Sequence, residues 1–352
     1  MTIDDLATPL LTVDMDIVAA NISRLQSYAD RHGLRNRPHV KTHKLPLIAH
    51  MQMRAGAVGI ACQKLSEAEI MASAGIPDIQ IVYPVIGRQK ARRAASLAGL
   101  VRLSIAADSL EVAKGLSHAA ASHGTHIDFY VDCDTGWKRT GVQTPADAIA
   151  LADASHRLPA LSFAGLMTYP TSPAVGPWFR EVFAGLERIG LSRGVACGGG
   201  TPGVLETHNI AEIDEFRAGT YVYGDRSTIN NGTGPLESCA LRMRTTVVSA
   251  PTEDRVIVDA GTKALTTEPP EGSSDERFGY VVEYPDADIF LLEEEHGHID
   301  VSKCASKPSL GETITVIPNN ANAAVNMFNT VALHCSTLIQ AISPIAARGA
   351  LE

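Results

Sequence analysis

Ile127-Asp128-Phe129-Tyr130-Val131 runs directly into Asp132-Cys133-Asp134-Thr135-Gly136-Trp137-Lys138-Arg139-Thr140-Gly141. The first five residues are β-rich and mostly apolar, as in a short strand buried on both faces. The charged, glycine-bounded stretch after them is a loop at the strand's C-terminal end. The pattern recurs on both sides: Val58-Gly59-Ile60-Ala61, Ile79-Gln80-Ile81-Val82-Tyr83, Val101-Arg102-Leu103-Ser104-Ile105 and Leu161-Ser162-Phe163-Ala164-Gly165-Leu166 are further short runs separated by helical patterns. So many β–α units predict an α/β fold whose parallel strands close into a (β/α)8 TIM-type barrel rather than an open sheet.

Leu10-Leu11-Thr12-Val13 is a strand, with Asp14 or Asp16 placed to cap the helix that follows and Arg31-His32-Gly33 to close it. Ser66-Glu67-Ala68-Glu69 starts a helix and Gly75 stops it. After about residue 230 the texture changes. Asn230-Asn231-Gly232-Thr233-Gly234-Pro235 forms turns, and Thr245–Val248, Val256–Val258, Tyr280–Val282 and Thr313–Ile317 are strands divided by Gly, Pro and Asp. We therefore expect a barrel over residues 1–232, whose first strand can join the second domain, followed by a mostly antiparallel β domain over 233–352.

The 352 residues carry a formal net charge of −9, with no basic stripe for nucleic acid. Met1-Thr2-Ile3-Asp4-Asp5 lacks the basic-then-apolar order of a signal peptide. No segment reaches the ~18 uninterrupted apolar residues of a membrane span. Six cysteines stand singly, without metal or disulfide spacing, which predicts a reduced, cytoplasmic protein with cysteines in its core.

Three stretches carry chemistry. Arg37-Pro38-His39-Val40-Lys41-Thr42-His43-Lys44 sets a lysine among cations, and neighbouring positive charge favours the neutral amine that attacks a carbonyl. Alone it also reads as a basic surface loop. Cys197-Gly198-Gly199-Gly200-Thr201-Pro202-Gly203 follows the short strand Gly194-Val195-Ala196; its backbone N–H groups can converge on a phosphate, aided by a helix expected to begin near Pro202. Arg139, in the loop quoted first, can donate to an oxyanion or lie in a solvated turn. Phe216-Arg217-Ala218-Gly219-Thr220-Tyr221-Val222-Tyr223 reads as the closing strand, with Arg217 at its entry and the tyrosines on one face. A Schiff-base lysine, a phosphate nest and strand-end arginines together describe a pyridoxal 5'-phosphate site.

These features come in the order of a known family. The chain resembles the fold-type III, alanine-racemase-like pyridoxal-phosphate enzymes, and most closely their D-threonine aldolase and D-serine dehydratase branch. The matching stretches are residues 37–44, Cys62-Gln63-Lys64-Leu65-Ser66-Glu67-Ala68-Glu69, Asp134-Thr135-Gly136 with Arg139, the GGGTP loop and Arg217-Ala218-Gly219-Thr220-Tyr221. Asp259–Leu265, Glu295-His296-Gly297, Ile317-Pro318-Asn319 and Ala347-Arg348-Gly349 complete the set, which spans nearly the whole chain. The resemblance implies that Lys41 carries the cofactor's aldehyde, Arg139 contacts the phenolate oxygen and Arg217 faces the pyridine nitrogen. It also implies that Gly199, Gly200 and Thr201 bind phosphate with Tyr221 or a neighbouring N–H. Gln63 and Tyr169 are expected near the ring, or as ordinary barrel packing.

One departure stands out. The branch usually has His-x-Cys or His-x-Asp after Ile-Pro-Asn, holding a divalent metal. Here Asn320 and Asn322 occupy those positions. Two neutral amides are poor transition-metal ligands, so we expect the metal to be absent or weakly bound. His296, His298 and His334 are the other nearby candidates; the first two fall in an acidic turn. The implied function is a lyase that cleaves the Cα–Cβ bond of D-3-hydroxy amino acids. The alternatives are a dehydratase or a metal-independent racemase, with a non-enzymatic cofactor carrier disfavoured by the second domain. A small amino acid substrate and a homodimer with shared active sites are the expected partners.

Overall fold

The structure, a computed structural model, describes residues 1–270 and 277–352. It divides into two compact units, Ser23–Lys41 with Leu45–Gly219 and Ala350–Glu352, and Met1–Ile22 with Thr42–Lys44 and Thr220–Gly349.

The first unit is the parallel barrel. Its strands are hydrogen-bonded in the order Arg35–Asn36, Glu215–Arg217, Val195–Gly199, Leu161–Thr168, Ile127–Cys133, Arg102–Ala107, Asp78–Ile81 and Ile60–Cys62. Beyond Asn36 the chain stays extended, and His39 bridges in parallel to Ala61, with Val40 N–H donating to Ala61 O and Ala61 N–H to Pro38 O, both at 2.9 Å. That contact joins the last strand to the first. The strands are buried on both faces, with Ile60, Ile79, Ile105, Phe129, Val131 and Leu166 inaccessible, which is why their sequences show runs rather than alternation.

Local signals set the helices between them. Ser109 Oγ accepts from Val112 N–H at the start of Leu110–His123, and Gly124, at φ +66°, ends it. Thr144 Oγ1 accepts from Asp147 N–H ahead of Pro145–His156, whose first residue is a proline. One expected helix does not form. After the triple glycine the chain makes only a short 3-10 segment, Val204–Asn209, entered through Gly203 at φ +70°. A helix dipole of the length assumed from the sequence is thus missing there.

The second unit is a mostly antiparallel sheet. The path runs Asp288–Leu292, Gly297–Asp300, Arg255–Val258, Leu241–Thr252, Leu10–Asp14, Thr330–Cys335 and Leu338–Pro344, with Thr313–Ile317 also on Leu241–Thr252 and carrying Tyr280–Val281. The N-terminal strand joins this sheet, antiparallel to Leu241–Thr252 and parallel to Thr330–Cys335. Asp14 caps the following helix, its Oδ1 accepting from the N–H groups of Asp16 and Ile17. The expected strand through Tyr221 and Tyr223 is instead a 3-10 turn, Thr220–Val222, after Glu215–Arg217 ends.

Candidate active site

Parallel strands put all their C-terminal ends on one rim, and six of the eight deliver a candidate residue there. Lys41 follows the extended segment that ends at His39, and Gln63 follows Ile60–Cys62. Arg139 lies in the loop after Ile127–Cys133, Tyr169 directly after Leu161–Thr168, Gly199 to Thr201 at the end of Val195–Gly199, and Arg217 at the end of Glu215–Arg217. Tyr221, Asn320 and Asn322 belong to the other unit.

The Asp134–Gly141 loop returns to its own base, where Cys133 bridges Val142. Asp134 Oδ1 accepts from the N–H groups of Gly136 and Lys138 at 2.9 and 3.0 Å, and these backbone donors hold its carboxyl below the usual range despite burial. At the loop's crest the Arg139 guanidinium lies 4.3 Å from the centre of the Tyr169 ring, and Trp137 meets the same ring edge-on at 5.9 Å. The exposed Arg139 and Trp137 therefore form one cluster on the rim with the half-buried Tyr169.

The triple glycine is built for close approach. A Cβ on Gly199 would stand 2.7 Å from Arg217 Nη2 and 3.1 Å from Thr168 O. Gly200 lies at φ +104°, a region side chains avoid, with Tyr169 Cε2 3.2 Å from the position of its absent Cβ. Thr171 fastens the loop from behind, donating through N–H and Oγ1 to Gly199 O at 2.9 and 3.2 Å. A cradle that only glycine can line, on the strand-end rim, fits a phosphate group.

Arg217 is buried beneath it, Nη2 donating to Thr168 O at 2.9 Å and Nη1 to Cys197 Sγ at 2.7 Å. Burial pushes the Cys197 thiol up to about 12 against the pull of Arg217, so it stays protonated and donates to Glu215 Oε1 at 3.4 Å. Deeper in the barrel Glu215 also accepts from Arg37 Nε at 2.8 Å, and Asp78 from Arg37 Nη1 at 2.5 Å. Burial opposes the Arg37 charge, but the two carboxylates outweigh it and raise its pKa. Burial likewise raises the pKa of Asp132, which accepts from Thr140 Oγ1 at 2.8 Å.

The cations around Lys41 in the sequence do not act as expected. Arg37 is neutralised by Glu215 and Asp78, and Lys44 Nζ donates to Ala347 O at 3.2 Å. His39 accepts the Lys41 N–H on Nδ1 at 3.2 Å, which requires a lone pair there. Its proton is on Nε2, facing Gln63 Oε1 at 3.1 Å, and the ring is neutral. Sequence reasoning read His39 as a cation beside Lys41 and missed Trp137 and Thr171; the latter two sit within two residues of a candidate, the one signal that could have found them.

In the second unit, Asn320 and Asn322 have their oxygens engaged. Asn320 Oδ1 caps the helix Ala321–Met327, accepting from Asn322 and Ala323 N–H at 2.9 and 3.3 Å, while its Nδ2 donates to Glu268. Asn322 Oδ1 accepts from Thr42 Oγ1 at 2.6 Å. This donor set does not fit a transition metal. His296 and His298 both approach Glu293 Oε2, at 3.9 and 3.4 Å, and His334 Nδ1 lies 2.6 Å from Ser336 O. Among the described residues no three His, Cys, Asp or Glu side chains gather as a metal site.

A parallel barrel with a lysine and a glycine cradle on its strand-end rim has the layout of the barrel class of pyridoxal-phosphate enzymes. The alanine racemase N-terminal domain model matches residues 13–227 and a serine dehydratase domain model matches 240–334; the chain belongs to this fold-type III, alanine-racemase-like family. It is 33% identical to a D-threonine aldolase of Arthrobacter sp over 97% of this chain and 93% of that one. The crystal structure of D-threonine aldolase from Filomicrobium marinum superposes with a TM-score of 0.90 at 28% identity, covering 100% of this chain and 98% of the other. D-threo-3-hydroxyaspartate dehydratase from Delftia sp. HT23 gives 0.86 at 27%, over 97% and 98%.

Proposed function

We propose that the protein is a pyridoxal-phosphate-dependent lyase that cleaves the Cα–Cβ bond of D-3-hydroxy amino acids, releasing an aldehyde and a small amino acid. The observation that carries this is a lysine and a glycine cradle on one barrel rim, in a chain similar over 97% of its length to a D-threonine aldolase. When bound, the cofactor supplies an aldehyde for amine exchange and a ring that accepts the electron pair released at Cα.

The chain's own residues have distinct tasks. Lys41 is the amine that binds the aldehyde. Gly199, Gly200 and Thr201, with a neighbouring N–H, hold the phosphate, and the missing Cβ atoms let backbone N–H groups reach it. Arg217 serves the pyridine nitrogen and Arg139 the phenolate oxygen. Support for Arg217 in that task is its burial directly beneath Gly199. Tyr169, stacked under Arg139, shields one side of the rim from water, and Gln63 orients groups beside Lys41.

Cleavage is preferred to dehydration because the neutral amides at 320 and 322 offer a transition metal neither imidazole, thiolate nor carboxylate. Expulsion of hydroxide needs a Lewis acid more than loss of an aldehyde does. A racemase is the remaining metal-independent alternative. A homodimer with shared active sites and a cytoplasmic location complete the proposal; scattered free cysteines support the latter, and no helix among the described residues is long and apolar enough to cross a membrane. Turnover of a panel of D-3-hydroxy amino acids tests it: aldehyde is expected, whereas keto acid and ammonia, or enantiomer exchange alone, would replace the lyase assignment.

A further inference from the structure

Lys41 lies within a turn over residues 40–43, and its backbone N–H donates to a side chain. The acceptor is His39 Nδ1, two residues earlier, in a ring that is 6% exposed. An imidazole offers that lone pair only in the tautomer protonated on Nε2. Gln63 selects this tautomer, because its Oε1 stands 3.1 Å from Nε2 and accepts the proton. Gln63 is itself fixed: its backbone N–H donates at 2.7 Å to Glu67 Oε2, a carboxylate 1% exposed in the first turn of the helix Leu65–Ser73. A directional chain thus runs from Lys41 N–H through His39 and Gln63 to Glu67. It crosses from one barrel strand end to its neighbour, at the place where His39 pairs with Ala61 and the ring closes.

We propose that His39 is a positioning residue for Lys41: locked as the neutral Nε2–H tautomer by Gln63, it holds the lysine backbone in the geometry that binds the cofactor. This rests on the assignment of Lys41 as the aldehyde-binding amine. In this role the histidine carries no charge and moves no proton, which separates it from a general base and from an electrostatic activator of the amine. A flexible lysine turn would pay the ordering cost on binding, so the pinned turn is worth affinity.

The two ring nitrogens can be dissected. In His39→Asn the side-chain oxygen can still accept the Lys41 N–H, as in an ordinary Asx turn, but the link to Gln63 is cut. His39→Gln keeps a donor for Gln63 and loses the acceptor for Lys41. Apo-protein is titrated with pyridoxal phosphate, and amide hydrogen exchange of the segment holding Lys41 is followed in parallel, with buried barrel amides as the check on folding. The expected result is affinity within about threefold of wild type for His39→Asn and about tenfold weaker for His39→Gln, the size of one backbone hydrogen bond. Exchange at the Lys41 amide should accelerate in His39→Gln only. Equal affinities and equal Lys41 protection in both variants would overturn the positioning role, as would a reversed order. If wild type binds no cofactor but the exchange pattern holds, the positioning of the turn stands and the cofactor assignment falls.

Discussion

Gly200 offers a way to separate sterics from electrostatics at the cradle. Replacing it with Ala, Asn or Asp adds a Cβ at φ +104°, 3.2 Å from Tyr169 Cε2. The backbone strain, about 1–2 kcal/mol, is present with and without cofactor, so it lowers the stability of the fold and cancels when the affinities of the Asp and Asn variants are compared. Asp differs from Asn by one charge. At an effective dielectric of about 20, a pair of unit charges roughly 5 Å apart is worth about 3 kcal/mol, and the phosphate carries nearly two. Rotation of the carboxylate towards solvent and ionic screening reduce this, leaving a gap of at least about 1.4 kcal/mol, or tenfold. Apo-protein titrated with pyridoxal phosphate should show Gly200→Asp binding at least about tenfold more weakly than Gly200→Asn. With pyridoxal, which lacks the phosphate, the gap should vanish. Equal affinities for the phosphorylated cofactor, or the same gap for both, would refute a phosphate at Gly200.

Two further outcomes concern buried charges and a third the asparagine pair. Arg37→Met strands the fully buried Glu215, whose second neighbour Arg35 is 3.5 Å away and half exposed; urea unfolding should show a loss of about 3–5 kcal/mol, partly restored by adding Glu215→Gln. Asp132 has a raised pKa in the fold, so its contribution to stability is full below its ordinary value of about 4 and fades as pH climbs through the folded value. Asp132→Asn should therefore melt progressively higher relative to wild type as pH rises from about 4, and a gap that narrows instead would contradict the assignment. Chelation followed by dialysis should leave turnover nearly unchanged, because the neutral amides of Asn320 and Asn322 are poor transition-metal ligands; a large loss restored by manganese would show otherwise.

The barrel was legible because strands covered on both faces must be short apolar runs, and Ile79–Ile81, Phe129–Val131 and Leu166 are such runs. The N-terminal strand's membership of the antiparallel sheet was only an allowance in the sequence, since its partners lie more than 200 residues away. Two local forecasts failed for backbone reasons. The stretch after the triple glycine carries Pro202 and a left-handed Gly203 before its first turn, and tightens into a 3-10 segment instead of an α-helix. Tyr221 and Tyr223 alternate like a strand, yet Glu215–Arg217 has already ended and the chain turns at Thr220. The charge logic around Lys41 failed for a different reason. Local sequence shows Arg37 and His39 as neighbours of the lysine, but not that Asp78 and Glu215 neutralise the first or that Gln63 sets the tautomer of the second. Those partners are distant in the chain and become visible only once the barrel has closed.

Lys41 as the amine that binds pyridoxal phosphate is the central claim, and borohydride reduction of the purified protein tests it most directly. Reduction followed by peptide mapping should place a phosphopyridoxyl group on Lys41 and on no other lysine, and Lys41→Ala should take up no label. A label on Lys44 or Lys263, or none on a protein that still turns over D-3-hydroxy amino acids, would contradict the account.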